Sequence, residues 1–377
     1  MVIPVSVGDN DEYTVTTIGD NAFNENENIK TLSFETGSQV TSIGEYAFNR
    51  CQKLRTVTFP ASLTSIGDYA FAVTKLSEVN YKGTDEEWNA IEIGDENEQI
   101  TDYKPQLVET VEITANSVAE LVSAIEGLEK NADIVVRGTL SNDDISSVKS
   151  ALETLHNNIS KIRVILDLSS VEGLTSLGYG SFGDCSNLIS ITLPNTMTEI
   201  SQYAFQGCTA LQEINIAQGS TSFSSEDGIL YNADKTTLLN YPIAKVGNSF
   251  DIPNDVTYLQ VYAFGQCRYL KNVTIHEGVG VELGVFHSSA VENVTLPSGL
   301  TRIKNQTFQE CTYLTTIAIP GTVTEIGSQA FQECYNLQTV YFGGTAADRT
   351  EMSIDDIENS NAILESVTWQ YETYPAP

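Results

Sequence analysis

The side chains of this sequence that could do chemistry are six cysteines, three histidines and a large excess of carboxylates. The histidines, His156, His276 and His287, are far apart, and none lies in a His-Glu-x-x-His motif or near cysteines at zinc-site spacing. Carboxylate pairs are abundant because the chain has 50 acidic residues, but no repeated position offers the regular buried acid that a glycosidase pair needs. We therefore predict no catalytic residue, no metal site and no enzyme activity.

One glycine-rich stretch, residues 178–183, has the Gly-x-Gly-x-x-Gly spacing of a dinucleotide-binding loop. Such a loop must follow a strand and open a helix, so that the helix N-terminus meets the phosphates. Here Phe182, within the stretch, belongs to a repeat that recurs along the chain. We interpret the stretch as a turn of that repeat and predict no cofactor.

The cysteines belong to the same repeat. Each follows an aromatic anchor by three residues and precedes a leucine by three, as Phe48, Cys51 and Leu54 do. Nine phenylalanines, 22 to 25 residues apart except across two longer gaps, set the register: Phe23, Phe48, Phe71, Phe182, Phe205, Phe264, Phe286, Phe308 and Phe331. Cysteines of adjacent coils lie within disulfide reach, but one cysteine per coil at a fixed inward position indicates a small buried hydrophobic side chain. We predict that all six are buried and reduced.

After each leucine the period changes to alternation, as in residues 54–60, where buried and outward positions alternate up to Pro60. Alternation predicts a short strand with one buried face, and proline ends it because it has no N–H to give. A coil of this length contributes one strand to a parallel ladder and must bury its apolar side chains against its neighbours.

Residues 40–60 and 323–343 carry the coil in its fullest form, and the first reads Ser-Ile-Gly-x-Tyr-Ala-Phe-x-x-Cys from Ser42. These residues resemble the BspA-like class of bacterial leucine-rich repeats. The resemblance implies an α/β fold in which right-handed solenoid blocks carry parallel β ladders. It also implies a protein of the bacterial cell surface that adheres to host proteins such as fibronectin and fibrinogen.

Two similar stretches, one after each repeat block, divide the chain. Each has an aromatic residue, glycine and Thr84 or Thr345 before an acidic run that would start a helix, as expected of a cap on an exposed apolar end. We predict a first solenoid with its cap over residues 1–104, an α/β linker or N-terminal cap of the second solenoid over 105–167, and a second capped solenoid over 168–377. A small independent domain is the alternative for the central segment.

The central segment has its own pattern, with strands predicted at 108–114, 133–140 and 161–168 and helices at 117–130 and 142–157. Ser117, followed by Glu120, is a predicted N-cap. Between Phe205 and Phe264 the spacing of 59 residues predicts one ordinary coil plus a β-hairpin insertion, within residues 219–250.

Composition limits the partners. The net charge of −31 would repel nucleic acid and anionic lipid, and no apolar run reaches the ~20 residues that span a membrane. Residues 1–15 lack the basic and apolar stretches of a signal peptide, so we expect a piece of a longer exported protein. We predict a monomeric protein of extracellular or cell-surface location, with no nucleic-acid partner and no membrane insertion.

With no catalytic, metal or cofactor site predicted, we expect the protein to act by binding a partner through its surface. The partner we expect is a host protein or a glycan. The outward strand positions and the hairpin supply the candidate contacts: Thr56, Thr58, Thr192, Asn215, Thr274, Thr295, Thr316, Tyr341 and Tyr231. Two further stripes are formed by Tyr46, Tyr69, Tyr203 and Tyr262 and by Tyr269, Tyr313 and Tyr335; we expect them to be half-buried packing. The alternative to a binding module is a structural spacer that displays a neighbouring domain.

Overall fold

The computed structural model describes residues 1–7, 13–35, 37–101, 106–115, 117–159, 162–355 and 360–372. The chain divides into two compact units, one made of Met1–Val111 with Leu128–Asp133 and the other of Glu112–Gly127 with Ile134–Pro377. We call them unit 1 and unit 2. Each contains a hydrophobic core in which the aromatic anchors of successive coils meet.

Unit 1 is a solenoid with two parallel ladders. Its wide ladder contains β1 (Val2–Ile3), β5 (Thr31–Phe34), β7 (Thr56–Phe59) and β9 (Glu78–Tyr81). Its narrow ladder contains β4 (Thr17–Ile18), β6 (Ser42–Ile43), β8 (Ser65–Ile66) and β10 (Glu92–Ile93). The remaining elements are an antiparallel pair, β2 (Ser6–Val7) and β3 (Tyr13–Thr14), and two short helices, α1 (Asp85–Asn89) and α2 (Glu98–Thr101).

The segment between the repeat blocks forms the strands and helices predicted for it, with shifted ends. They are β11 (Gln106–Ala115), α3 (Val118–Glu126), β12 (Asn131–Thr139), a 3-10 turn (Asn142–Asp144), α4 (Ile145–Asn158) and β13 (Val164–Glu172). Ser117 is the N-cap of α3, but its side chain makes no capping hydrogen bond. The division between the units falls within β11 and β12; the boundaries 1–104, 105–167 and 168–377 stay a prediction.

Unit 2 repeats the two-ladder plan. Wide-ladder strands are β13, β15 (Leu188–Leu193) and β17 (Glu213–Ile216), then β21 (Ser249–Asp251), β23 (Asn272–Thr274) and β25 (Asn293–Thr295), then β27 (Thr316–Ile319), β29 (Thr339–Phe342) and β31 (Thr368–Tyr371). Narrow-ladder strands are β14 (Ser176–Leu177) and β16 (Glu199–Ile200), then β20 (Thr237–Asn240), β22 (Tyr258–Leu259) and β24 (Gly280–Val281), then β26 (Arg302–Ile303), β28 (Glu325–Ile326) and β30 (Ser353–Ile354). Two strands, β18 (Phe223–Glu226) and β19 (Ile229–Asn232), and two helices, α5 (Ala346–Glu351) and α6 (Ile363–Ser366), complete the unit.

The anchor phenylalanines stack along each core. Ring centroids of successive anchors are 5.2 Å apart for Phe23 and Phe48, 5.4 Å for Phe264 and Phe286, and 5.3 Å for Phe308 and Phe331. Because each coil presents one ring to the ring of the next, no coil can bury its own apolar face. The repeat predicted from the sequence is confirmed as the packing unit of both cores.

The predicted hairpin is present, but its candidate contact residue, Tyr231, is buried. Strands β19 and β20 pair antiparallel, and β20 then pairs in parallel with β22, so the hairpin ends inside the narrow ladder. Tyr231 is 3% exposed and belongs to the unit 2 core. Gly228 accepts a backbone hydrogen bond from Ile214 of β17, and the buried Lys245 side chain forms an ion pair with Asp227. The hairpin therefore covers β17, and the Tyr231 ring is not available to a partner.

Tyr241, at the end of the hairpin, is an anchor that the phenylalanine pattern does not show. It lies 23 residues before Phe264, its N–H donates to the carbonyl of Ala263, and the ring centroids of Tyr241 and Phe264 are 5.3 Å apart. Phe48 makes the same backbone bond to the next coil. The 59-residue gap thus contains one complete extra coil whose anchor is a tyrosine.

An asparagine side chain caps the last coil of each repeat block. Inside the solenoid, the anchor N–H donates to a carbonyl of the next coil. At the last coil of unit 1 the N–H of Phe71 donates to Asn97 Oδ1 at 2.9 Å, and at the last coil of unit 2 the N–H of Phe331 donates to Asn361 Oδ1 at 2.9 Å. A side-chain amide satisfies the backbone donor that the next coil would otherwise satisfy.

The helix-starting runs predicted in the two caps are confirmed, and the structure shows that the two caps pack differently. Thr84 and Thr345 are N-caps with complete capping boxes. In the first cap the Trp88 ring lies against the rings of Phe59 and Tyr81. In the second cap the Arg349 guanidinium lies 4.4 Å above the Trp369 ring.

Candidate functional site

The candidate site is the outward side of the wide ladders, which we call the strand face. In β7 the side chains of Val57 and Phe59 are fully buried, while those of Thr56 and Thr58 point outward and are half-buried. The two-residue period of a strand produces this alternation. Apart from Tyr231, every predicted contact residue occupies such an outward position.

In unit 1 the strand face consists of two short rows. Thr56 lies between Thr31 and Glu78, and Thr58 pairs with Asn80. Asn80 Nδ2 lies 3.5 Å from Thr58 Oγ1 and 3.1 Å from Glu78 Oε1 and donates to both. These side chains hold one another in place before any partner arrives.

In unit 2 the strand face is divided among three ladders. Their central rows are Asp167, Thr192 and Asn215 in the first, Asp251, Thr274 and Thr295 in the second, and Thr316, Thr339 and Thr368 in the third. Tyr341 lies between Ala318 and Gln370. The structure therefore brings together Thr192 with Asn215 and Thr274 with Thr295, but it does not gather all the predicted residues into one patch.

Acidic side chains lie within these rows. Asp167 and Asp251 each begin a row, and Glu213 is bonded by Asn215 Nδ2 at 3.3 Å. Amides bond each other in the neighbouring row, where Asn293 Nδ2 donates to Asn272 Oδ1 at 2.9 Å. The strand face is an ordered array of short neutral side chains interspersed with carboxylates.

The cysteines are buried and free, as predicted. A thiol can donate to the carbonyl of the anchor in the coil before its own. Cys208 does so to Phe182 at 2.8 Å, and Cys311 does so to Phe286 at 3.1 Å. Burial raises the pKa of both thiols to about 12. Protonated, enclosed thiols are neither nucleophiles nor metal ligands at neutral pH.

One polar cluster was missed from the sequence because its members come from different coils. Ser288 Oγ donates to Glu310 Oε2 at 2.6 Å and lies 2.9 Å from His287 Nδ1, and His287 Nε2 is 4.0 Å from Glu310. A serine nucleophile needs the histidine to take its proton and a carboxylate on the far ring nitrogen. Here the carboxylate holds the serine itself, so the arrangement does not activate it. Within the residues that the structure describes, no group of three or more His, Cys, Asp or Glu could hold a metal ion.

The two tyrosine stripes differ. Tyr46 and Tyr69 stack with ring centroids 5.0 Å apart, as half-buried packing side chains do. The second stripe is largely exposed, by 56% at Tyr269, 60% at Tyr313 and 71% at Tyr335, so the expectation that it is half-buried is wrong. Outward-pointing positions beside the buried cysteine explain the exposure.

Comparison with known proteins identifies the family. The BspA-type leucine-rich-repeat region matches residues 10–93, 150–242 and 245–355, in six copies. The chain belongs to this family. No curated protein matches the sequence significantly. Within the described part of the chain, no helix is both long enough and apolar enough to cross a bilayer.

Three solved structures with a similar course of the chain are of low identity to it. A leucine-rich cell surface protein from Faecalibacterium prausnitzii is 22% identical, with 94% of this chain and 90% of that chain covered and a TM-score of 0.46. The pneumococcal vaccine antigen PcpA is 20% identical, with coverage of 92% and 72% and a TM-score of 0.40. A leucine-rich repeat protein from Eubacterium ventriosum is 24% identical, with coverage of 83% and 60% and a TM-score of 0.36.

Proposed function

We propose that this chain is a non-catalytic binding module of an extracellular or cell-surface bacterial protein, and that its strand face adheres to a host protein. The observation that carries the proposal is the set of paired outward rows, of which Thr192 with Asn215 and Thr274 with Thr295 are the clearest. Membership of the BspA-type family supports the surface location.

The order of the strand face favours binding. Side chains that are short and already fixed by the ladder lose little conformational entropy when a partner meets them. Hydrogen bonds within the face, such as Asn293 to Asn272 at 2.9 Å, fix them further. The partner therefore meets a surface that needs no rearrangement.

The charge of the strand face selects the partner. Asp167, Glu213 and Asp251 lie in or beside the central rows of a chain whose net charge is −31. A basic surface on the partner would be attracted and oriented by these carboxylates. Screening by salt then weakens the complex, because the carboxylates are solvent-exposed or half-buried.

The test is surface plasmon resonance of the chain against fibronectin and fibrinogen. We expect binding that weakens between about 0.05 M and about 0.5 M salt, and a loss of about tenfold or more when Thr192→Lys, Asn215→Lys or Thr274→Lys places a cation on the face. The matched control is Thr154→Lys, on the exposed side of α4 in the same unit, which should bind as the wild type does. Equal binding by all four variants would refute the strand face as the contact.

A structural spacer is the second candidate. The observation that favours it is the division of the unit 2 strand face among three ladders, which leaves each patch small. A spacer would bind none of the host proteins or glycans presented, with or without the lysine substitutions.

A further inference from the structure

The repeat is interrupted at one place in unit 2, beside the hairpin. In regular coils the N–H two residues after the anchor donates to a backbone carbonyl of the next coil, as Asp184 does to Gln206 at 2.8 Å and Gln266 does to His287 at 2.8 Å. At Gly207 the same N–H donates instead to Gln266 Oε1 at 3.0 Å. Gln266 follows Phe264, the anchor after Tyr241, so this bond bypasses the coil of Tyr241.

A row of aromatic rings, Tyr203, Tyr262 and His287, lies across the bypassed coil of Tyr241. The ring centroids of Tyr203 and Tyr262 are 5.5 Å apart, and His287 packs edge-on against Tyr262 at 5.5 Å. Tyr179 extends the row, 5.1 Å from Tyr203, and is 78% exposed. The turns around the anchors, not the strand face, build this row.

Beneath the rings lies a small cavity of about 30 Å³, which we call the coil-break cleft. Its polar lining consists of the His287 imidazole, the tips of Tyr203 and Tyr262, and four side-chain amides: Gln202, Gln206, Asn240 and Gln266. A volume near 30 Å³ is about the space that one water molecule occupies in the liquid, so the cavity admits a hydroxyl or hydroxymethyl group and not a whole sugar ring.

The lining is unusual for this chain because it contains no acidic side chain, lysine or arginine. Asp and Glu number 50 and Lys and Arg 19 in the sequence, yet the described residues that line the cleft include none of them. A carboxamide both donates and accepts hydrogen bonds, which matches a hydroxyl group, and a tyrosine face offers an apolar plane beside a polar tip. A basic peptide would need carboxylates that this lining lacks.

The neutral character continues along the following coils. Tyr262 Oη donates to Gln306 Oε1 at 2.8 Å, Gln306 Nε2 donates to Gln329 Oε1 at 3.2 Å, and Gln309 Nε2 donates to Gln332 Oε1 at 2.6 Å. Successive coils are about 4.8 Å apart. The half-buried amides of Gln306, Gln329 and Gln332 therefore follow one another along the turns at a spacing that a chain of sugar units could follow, whereas the Gln309 amide is buried.

We propose that the coil-break cleft binds a neutral glycan. One hydroxyl or hydroxymethyl group enters the cavity and bonds the amides, while the sugar ring lies against the Tyr203 and Tyr179 side chains at its mouth. This site goes beyond the strand face proposed above and is independent of it, because the two surfaces share no residue.

The test uses a microarray of neutral, sialylated and sulfated oligosaccharides, followed by isothermal titration with the strongest neutral ligand. We expect binding of a neutral glycan with a dissociation constant below about 1 mM that changes little with salt, because the ligand carries no charge and no Asp, Glu, Lys or Arg lines the cleft. Tyr203→Ala and Gln206→Ala should each weaken it about tenfold or more, and Tyr203→Phe, which keeps the ring, should retain most of it.

Exposed positions make the test robust to misfolding. Gln206 is exposed and Tyr179 is 78% exposed, so Gln206→Ala and Tyr179→Ala remove side chains that fold stability does not need. Tyr335→Ala, at a tyrosine 71% exposed and outside the cleft, is the matched control and should bind normally. Thermal unfolding of each variant verifies the fold.

Three results would overturn the proposal: no neutral glycan bound at millimolar concentration, binding unchanged in the cleft variants, or a host peptide that competes for the cleft in place of sugar. The strand-face variant Thr274→Lys distinguishes the two sites, because it should leave glycan binding unchanged. If Thr274→Lys abolishes host-protein binding and no glycan binds, only the cleft proposal fails.

Discussion

Replacing Tyr241 by alanine is the sharpest test of the extra coil. Tyr241 is 2% exposed, and its ring packs at a tilt against Phe264, with centroids 5.3 Å apart, and meets Phe250 edge-on at 5.2 Å. Deleting a buried ring of this size costs about 3 to 5 kcal/mol through lost transfer energy and the cavity left behind. In a solenoid the coil supports both neighbours, so we expect the loss to spread through unit 2.

The two tryptophans report on the two units separately. Trp88 lies in unit 1 and Trp369 in unit 2, so Trp88→Phe leaves one fluorophore that follows unit 2 during urea unfolding, and Trp369→Phe leaves one that follows unit 1. With a urea slope of about 3 kcal/mol per molar, Tyr241→Ala should lower the unit 2 midpoint by about 1 to 1.7 M and leave the unit 1 midpoint in place.

The controls are Tyr241→Phe, which keeps the ring, and Tyr335→Ala, which removes an exposed ring. Each should change the free energy of unfolding by less than about 1 kcal/mol. A midpoint shift for Tyr241→Ala no larger than that of Tyr335→Ala would show that Tyr241 is not an anchor, and the hairpin would then be an addition to the solenoid.

Three further predictions follow from the core and the caps. Asn97→Ala and Asn361→Ala each remove a buried amide that satisfies an anchor N–H, so each should destabilise its block by about 1 to 3 kcal/mol, with faster hydrogen exchange in the last coil than in the first. Burial raises the pKa of Cys208 and Cys311 to about 12 in the folded chain, above the ordinary value of about 9 for an exposed thiol, so the stability present below about pH 9 should fall as pH rises from about 9 towards 12. A Cys208→Ala variant measured by urea unfolding should lose less stability over that range. Tyr231→Ala should lower the melting temperature of unit 2, measured by circular dichroism, and equal melting of mutant and wild type would mean that the ring is not in the core.

The fold was predictable from the sequence wherever one residue type marks the register. Phe48, Cys51 and Leu54 hold the same three positions in coil after coil, and each is fully buried because a ring, a thiol and an aliphatic chain fill a fixed space beside their counterparts. The strand after each leucine follows from its two-residue alternation, so the outward placement of Thr56 and Thr58 was predictable as well.

Other features depend on distances that a sequence does not contain. Tyr241 carries an anchor role with neither the preceding alanine nor the following cysteine, and only its distance of 23 residues from Phe264 gives a signal. The burial of Tyr231 depends on β20 joining the narrow ladder, which the hairpin motif does not encode. The coil-break cleft joins Gln206 to Gln266 across 60 positions, because the hydrogen bond of Gly207 bypasses a coil.

The position two residues before the anchor shows how a fixed backbone can carry variable chemistry. Tyr46 and Tyr262 occupy it with φ of 56° and 59°, a left-handed conformation that costs a non-glycine residue about 1 to 2 kcal/mol. Gly284 occupies it in the next coil, where a Cβ would collide with the Tyr262 ring. At this position Tyr46 contacts Tyr69 and Tyr262 contacts Tyr203, whereas Gln306 and Gln329 adopt the same conformation with φ of 59° and bond each other through their amides. In unit 1 the contact is a stacked pair, whereas in unit 2 the two rings stand over the coil-break cleft, so the same backbone position yields packing in one block and an open, uncharged surface in the other.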